Sequence, residues 1–248
     1  MNQSFSFVQL CDTQLGMGGY RHDVKALTQA VRQINEMDVD FAIHCGDAVH
    51  VPNKKSFADY RRIIKKLNVP SYNAPGNHDV GDNPTPESLA LFREEIGDDR
   101  FSFEHKGRTF IFLNTLLLKE HLEGESEQQD IWLGEVLAEA KKAGHPVVIV
   151  GHHPLYIETP DEDKLPYFTI PKGKRGELLE LFATHNVAAV LTGHTHWLVA
   201  NEYKGMKMLS GETTSKNCDD RPLGFRHWIV EDSGEMTHKL VHLGSAFF

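Results

Sequence analysis

Five short motifs in the sequence combine aspartate, asparagine and histidine, whose side chains are common metal ligands. Each motif directly follows a short apolar run, and most contain a glycine that lets the chain turn sharply. The motifs are CDTQ at 11–14, GD at 46–47, PGNHD at 75–79, GHHP at 151–154 and GHTH at 193–196. Taken singly, each polar residue is more typical of a helix cap, a turn or a packed histidine. Five such motifs after five apolar runs instead favour one shared metal site.

The apolar runs and the segments between them predict alternating strands and helices. Strands are predicted over 5–10, 39–45, 69–74, 109–114, 146–150 and 187–192. Apolar residues three and four apart predict helices through 24–34 and 57–67, with further helices near 86–96, 127–143 and 174–185. After residue 196, short β-like runs predict hairpins that complete a second sheet. The polar stretches 119–130 and 158–173 predict long loops, either walls of a site or solvated excursions.

This alternation predicts an α/β fold with a largely buried sheet covered by helices. Because the carboxyl ends of the strands line the ligand crevice of such a sheet, we expect the five motifs to converge there. At least seven candidate ligands exceed the roughly four to six that one ion takes, and one carboxylate can bridge two ions. A pair of ions polarises a phosphoryl group and acidifies a bound water, so the motifs predict phosphoester hydrolysis.

Length, charge and composition argue against several other classes of protein. The 248 residues show no repeat, low-complexity tract or linker, so a single domain over 1–248 is expected. A net charge of −9 argues against a nucleic-acid backbone or an anionic membrane as the main partner. No apolar run approaches the length that a bilayer needs and the N-terminus lacks a signal pattern, so we expect a cytoplasmic protein. Three cysteines without paired spacing do not favour a disulfide framework.

The five motifs, in this order, resemble those of the calcineurin-like metallophosphoesterases from about residue 5 to residue 240. The resemblance implies a four-layer α-β-β-α sandwich of two packed mixed β-sheets flanked by helices. It also implies a ligand set in which Asp12 and His196 hold the first metal, Asp47 bridges, and Asn77, His152 and His194 complete the second. His78 would contact the phosphate and protonate the leaving alkoxide, and Asp79 would orient the His78 imidazole through its other nitrogen.

Gln14 departs from the family pattern, which has histidine at this position. An amide oxygen is neutral and binds zinc-like ions more weakly than imidazole, so the first site would favour manganese or iron, although zinc and magnesium also fit the ligand types. His50 lies three residues after Asp47, where the related purple acid phosphatases place a tyrosine ligand. His50 could therefore replace the missing imidazole, or could contact the phosphate instead. Gln14 and His50 together resemble a branch of the family that includes an animal serine/threonine protein phosphatase.

Three functions are compatible with these motifs. The favoured one is a dinuclear metal-dependent phosphoesterase that hydrolyses phosphomonoesters, in small molecules or on phosphoserine and phosphothreonine of proteins, by in-line attack of a metal-bound hydroxide. A phosphodiesterase acting on cyclic nucleotides or nucleotide diesters would use the same motifs and differ only in its loops. A scaffold without chemistry is the third, because Gln14 weakens one site. Against it, the retention of Asp47, Asn77 and His78 has no physical reason in a scaffold.

Overall fold

The computed structural model describes residues 3–244, which contain two β-sheets and seven helices. The strands are β1 (Phe5–Leu10), β2 (Phe41–Cys45), β3 (Ser71–Ala74), β4 (Phe101–His105), β5 (Arg108–Phe112), β6 (Val147–Val150), β7 (Val187–Thr192), β8 (Val199–Tyr203), β9 (Met206–Ser210), β10 (Gly224–Val230) and β11 (Met236–His242). The helices are α1 (Tyr20–Asn35), α2 (Lys54–Ile64), α3 (Asn77–Val80), α4 (Pro86–Glu95), α5 (Leu116–Lys119), α6 (Glu125–Ala143) and α7 (Lys172–Thr184). None of these helices is long and apolar enough to cross a membrane.

Both sheets mix parallel and antiparallel strands. The first has the order β11-β10-β1-β2-β3, in which β1, β2 and β3 are parallel and β10 is antiparallel to both of its neighbours. The second has the order β4-β5-β6-β7-β9-β8, with a parallel centre and an antiparallel strand at each edge. The α/β class and the two packed mixed sheets flanked by helices are thereby confirmed. The hairpins predicted after residue 196 are present, but only β8–β9 lies in the second sheet, whereas β10–β11 pairs with β1 in the first.

An apolar core fills the space between the two sheets, because alternate residues of each strand point into it. The rings of Phe7 and Phe41 in the first sheet stack at 5.3 Å, and Phe110 of the second sheet meets Phe41 edge-on at 5.1 Å. The opposite face of β1, which carries Val8, packs with the apolar face of α1. In the same way α6 and α7 cover the outer face of the second sheet. This packing holds the two sheets at a fixed separation.

The register of the parallel strands brings their carboxyl ends to one edge of the molecule. Leu10 of β1 pairs with His44 of β2, and β3 continues the same register beyond β2. In the second sheet Val150 of β6 pairs with Leu191 of β7. The segments that follow these five strands therefore leave both sheets side by side, as the sequence predicted for its five motifs.

Besides shifts of a few residues and the short helices α3 and α5, the elements differ from the sequence prediction in two places. Strand β4 was not predicted, because its residues are half-buried or exposed at a sheet edge and lack a continuous apolar signal. The loop predicted over 119–130 is wrong for 125–130, which form the first turns of α6. These turns are acidic, which suits a helix N-terminus, and the Gly124 N–H donates to the Glu127 carboxylate at 2.7 Å. The start of α6 is therefore indicated by its capping hydrogen bond and its acidic residues, and not by apolar residues at helical spacing.

Candidate metal centre

The backbone at the ends of the strands is turned into a sparsely populated conformation. Eight described residues other than glycine have positive φ, and five of them belong to the motifs. These five are Asp12 (47°), Gln14 (37°), Asp47 (56°), His194 (69°) and His196 (58°). Such a conformation costs about 1–2 kcal/mol per residue and persists only where the surrounding structure enforces it. All five side chains are buried, so the strained backbone aims them inward.

Three of these side chains form a first group of potential ligands. One ligand atom from each of Asp12, Asp47 and His196 lies within 4.8 Å of the other two. His196 Nε2 lies 3.4 Å from Asp12 Oδ1, while its Nδ1 lies 2.6 Å from the backbone carbonyl oxygen of Lys216. Donation from Nδ1–H to that carbonyl leaves the Nε2 lone pair facing the two carboxylates. Two carboxylates and one imidazole lone pair around one point fit a metal ion.

A second group of ligand atoms shares Asp47 with the first. His152 Nε2 lies 3.0 Å from Asn77 Oδ1, 3.1 Å from His194 Nδ1 and 3.5 Å from Asp47 Oδ2. Since Asp47 contributes to both groups, its carboxylate is placed to bridge two ions. The structure therefore brings together all six residues for which the resemblance implied metal binding, in the two groups that it implied.

The outward nitrogens of the two histidines in the second group are both engaged by backbone carbonyls. His152 Nδ1 lies 2.8 Å from the Cys45 oxygen, and His194 Nε2 lies 3.2 Å from the Tyr167 oxygen. With these nitrogens protonated, the inward nitrogens present two lone pairs to each other. Lone pairs this close, beside an amide oxygen and a carboxylate, repel one another unless a cation lies between them. This set of ligand atoms therefore fits a metal ion. The backbone carbonyls hold the two imidazoles in the required orientation before an ion binds.

Electrostatics in the second group also call for positive charge. Burial raises the pKa of Asp47, but the imidazoles of His152, His78 and His194 outweigh burial and hold this pKa well below its usual range. Burial lowers the pKa of His152, whereas the carboxylate of Asp47 raises it, with a net rise. Burial and the neighbouring His152 lower the pKa of His194 to about 3. Without an ion, His152 therefore takes a second proton far more readily than His194, and a metal ion between the inward nitrogens would take the place of that proton.

Gln14 and His50 contact different residues of the centre. The Gln14 amide donates from Nε2 to Asp47 Oδ2 at 3.3 Å, and its Oε1 is buried without a hydrogen-bond partner among the described residues. A buried carbonyl oxygen without a donor fits a nearby cation. The His50 ring stacks on the His78 ring with 4.7 Å between centroids. The amide is thus attached to the bridging carboxylate, whereas the second imidazole supports His78.

The His78 side chain is oriented by a backbone carbonyl and not by Asp79. His78 Nδ1 lies 3.0 Å from the His50 oxygen, and the His78 backbone N–H donates to Asp47 Oδ1 at 2.8 Å. The predicted contact between Asp79 and this imidazole is wrong. Residues 77–80 form the helical turn α3, in which consecutive side chains point about 100° apart and do not face each other.

Asp79 instead ties the loops of the centre together. Its carboxylate accepts the backbone N–H groups of Gly76 at 2.9 Å and of Ala48 and Val49 at 3.2 Å. Burial and the charge of Asp47 raise the pKa of Asp79 to about 7. Through these three bonds Asp79 fixes the segment after β2, which carries Asp47, against the segment after β3.

Two glycines allow the motifs to approach one another. An added Cβ at Gly76 would overlap the carboxylate of Asp47, and one at Gly193 would overlap the carboxylate of Asp12. Any larger residue at either position would displace a candidate ligand. At these two positions the glycine is therefore required by a ligand from another motif, a reason that the sequence could not reveal.

Sequence reasoning missed one buried carboxylate, that of Asp23 in α1. It accepts the backbone N–H groups of Gly16 at 2.8 Å and Gly18 at 3.1 Å, and the hydroxyl of Ser215 at 2.8 Å. These bonds fasten the loop that follows Gln14. A signal was present, because Asp23 lies four residues before Leu27 and thus falls on the apolar face of the helix.

Comparison with known proteins agrees with this geometry. Among solved structures, a dimetal phosphatase of Danio rerio superposes with a TM-score of 0.71 at 16% identity, covering 96% of this chain and 97% of that one. This similarity shows the fold, in which two mixed sheets pack face to face. Residues 5–198 match the sequence model of the family described as calcineurin-like phosphoesterase, and the chain belongs to this family. It is accordingly a hydrolase of phosphoric esters.

Curated relatives extend the match over most of the chain. The serine/threonine-protein phosphatase CPPED1 of Bos taurus is 30% identical over 96% of this chain and 84% of its own length. The protein of the same name from Mus musculus is 32% identical over 83% of this chain and 73% of its own. The branch that the Gln14 and His50 motifs resemble is thereby confirmed.

Proposed function

We propose that the protein hydrolyses phosphomonoesters with two metal ions, and that its substrates include phosphoserine and phosphothreonine in proteins. One observation carries the proposal: buried acceptor atoms converge in two groups that share the Asp47 carboxylate. The phosphatase names of the relatives support the choice of phosphomonoesters. The oxygen-rich first group favours manganese or iron over zinc and magnesium.

The ligands are assigned by the atoms that face each other. Asp12, Gln14 and His196 would hold the first ion, and Asp47, which belongs to both groups, would be shared with the second. Both Gln14 Oε1 and His50 Nδ1 are buried without a hydrogen-bond partner among the described residues. Gln14 is chosen because its Nε2 contacts the bridging carboxylate at 3.3 Å, whereas the His50 ring stacks on His78. The second ion takes Asn77, His152 and His194.

The side chains around the ions complete the chemistry. When bound, a pair of divalent ions polarises a phosphoryl oxygen and acidifies a water molecule. His78 donates from Nδ1 to the His50 carbonyl, so its Nε2 is the atom that meets the substrate and, when protonated, gives its proton to the leaving alkoxide. The stacked His50 ring holds the His78 imidazole in this orientation. Asp79 acts on the backbone of the loops and positions Asp47.

Replacement of the bridging carboxylate tests the proposal. Asp47→Asn keeps the shape of the side chain but removes its charge, so we expect loss of at least one bound ion and of nearly all turnover. The assays are metal content after manganese loading and hydrolysis of p-nitrophenyl phosphate, bis(p-nitrophenyl) phosphate and a phosphoserine peptide. Asp38→Asn is the matched control, because Asp38 is exposed at the opposite end of the sheet, before β2. Diester turnover far above monoester turnover, or an active Asp47→Asn variant, would contradict the proposal.

A further inference from the structure

The polar segment 157–171, which precedes α7, is an ordered wall beside the metal centre. The buried guanidinium of Arg175 donates to the backbone oxygens of Pro160 at 2.9 Å, Glu162 at 2.7 Å and Ile170 at 3.2 Å. Bonds from a single buried group to three points of a loop fix its conformation before any ligand arrives. Of the two readings that the sequence allowed, the wall is the one that the contacts support.

Within this wall, the aromatic residues divide between core and site. Tyr156, just before the segment, is buried in the core of the second sheet. Tyr167 is 49% exposed, and its ring lies 5.0 Å from the ring of His194. The Tyr167 carbonyl oxygen accepts from His194 Nε2 and from Lys119 Nζ. The backbone at Tyr167 is therefore fastened to the second ligand group, while the side chain projects at its mouth.

The hydroxyl of Tyr167 lies beside the proposed ligand Asn77, and its proton has no acceptor among the described residues. Asn77 Nδ2 donates to the Tyr167 hydroxyl oxygen at 3.4 Å and to Asp82 Oδ1 at 3.0 Å, while Asn77 Oδ1 faces His152. The Tyr167 oxygen is thus an acceptor for Asn77, and its own O–H has no acceptor among the described residues. A phenol remains protonated near neutral pH and can donate one hydrogen bond.

We propose that Tyr167 donates this hydrogen bond to a phosphoryl oxygen of the substrate and thereby selects phosphomonoesters over phosphodiesters. The inference rests on the proposed function and names the feature of the substrate that the wall recognises. A monoester has three non-bridging oxygens, so one is left for Tyr167 when the other two are engaged at the ions. In a diester that third position is an ester oxygen, which is a weaker acceptor and carries a carbon substituent. A hydrogen bond to a charged oxygen is worth about tenfold in binding or more.

Tyr167→Phe removes the hydroxyl and keeps the ring. In the manganese-loaded protein we expect kcat/KM for p-nitrophenyl phosphate to fall about tenfold and that for bis(p-nitrophenyl) phosphate to stay unchanged. Both esters release the same leaving group, so the ratio reports only the phosphoryl group. Calorimetric titration with inorganic phosphate should show a Kd about tenfold higher, with unchanged metal content. Tyr203→Phe is the control, because its hydroxyl bonds Glu180 of α7 at 2.6 Å, away from the centre.

Other results would overturn the inference. Equal losses for both esters, or loss of metal, would show that Tyr167 acts through Asn77 or His194 and not on the substrate. An unchanged Tyr167→Phe beside an impaired Tyr167→Ala would assign the effect to the ring. If the wild-type protein hydrolyses the monoester but Tyr167→Phe leaves the monoester-to-diester ratio of kcat/KM unaltered, this inference is refuted and the proposed function stands. A wild-type protein that hydrolysed neither ester would refute the proposed function as well.

Discussion

The substitution Gly76→Ala tests whether close contact between motifs shapes the metal centre. Gly76 has φ of −112°, so alanine is not strained by its backbone conformation. The added Cβ, however, would overlap the Asp47 side chain and the Asp47 backbone nitrogen. Relief requires a movement of about 1 Å by the carboxylate or by the turn that carries it, and a misplacement of this size costs on the order of 100-fold in activity.

The effect on stability follows from the same overlap. Forcing an extra carbon into a packed site costs about 1–3 kcal/mol, of which less than 1 kcal/mol is offset by the lower entropy of the unfolded chain. For a chain of this size, a net loss of about 2 kcal/mol lowers Tm by roughly 4–8 °C. Gly134→Ala is the matched control, because Gly134 lies inside α6 and its added Cβ meets nothing within 4 Å. That variant should gain about 0.5–1 kcal/mol.

Thermal unfolding, metal content and hydrolysis of p-nitrophenyl phosphate measure these effects together. The reasoning predicts opposite signs for the same chemical change at two glycines. A Gly76→Ala protein that kept its bound metal, its kcat and its Tm would refute it, because the overlap with Asp47 could then be absorbed without moving a ligand. A destabilised Gly134→Ala protein would show that helix propensity does not govern α6.

Three further results are expected. Asp23→Ala should lower the free energy of unfolding by about 1–3 kcal/mol and the affinity for the first ion, because it removes the buried acceptor of the Gly16 and Gly18 N–H groups and of the Ser215 hydroxyl; urea unfolding and metal titration measure both. Hydrogen bonds from Arg93, opposed by burial, lower the pKa of Glu125 to about 2, so this carboxylate stabilises the fold above its unfolded pKa of about 4.5 and loses that effect as pH falls toward 2. Glu125→Gln should therefore destabilise the protein at pH 7 and much less at pH 3, in urea titrations at both values; an equal loss at both would contradict the ion-pair origin. Chelation of the manganese-loaded protein should lower Tm by roughly 5–10 °C if the free ion had been at about 100 times Kd, and added manganese should restore it.

Much of the fold follows from local pattern. Strands β1, β6 and β7 were predictable because each is a short apolar run closed by a glycine or a polar residue. The motif after each strand was predictable for the same reason, since ligand type and turn chemistry are local properties. Strand β4 escaped because an edge strand that is half-buried on one face has no apolar run to detect.

The site shows where local pattern stops. The motifs predicted a shared metal site, and their resemblance to the family implied six ligands, namely Asp12, Asp47, Asn77, His152, His194 and His196. The sequence could not name the groups that orient the ligand histidines, since these are the backbone carbonyls of Cys45, Tyr167 and Lys216. Every residue has a carbonyl, so no residue type marks the one that a histidine will meet.

Gln14, His50 and Tyr167 illustrate the same division. Their positions in the chain raised the right questions, namely which group completes the first site and whether the second long loop faces it. Only the packing of the two sheets places the Gln14 amide on Asp47 and the His50 ring on His78. The same packing brings the Tyr167 hydroxyl beside the Asn77 amide. These contacts join residues far apart in the chain, and their geometry depends on how the two sheets pack, which no local spacing encodes.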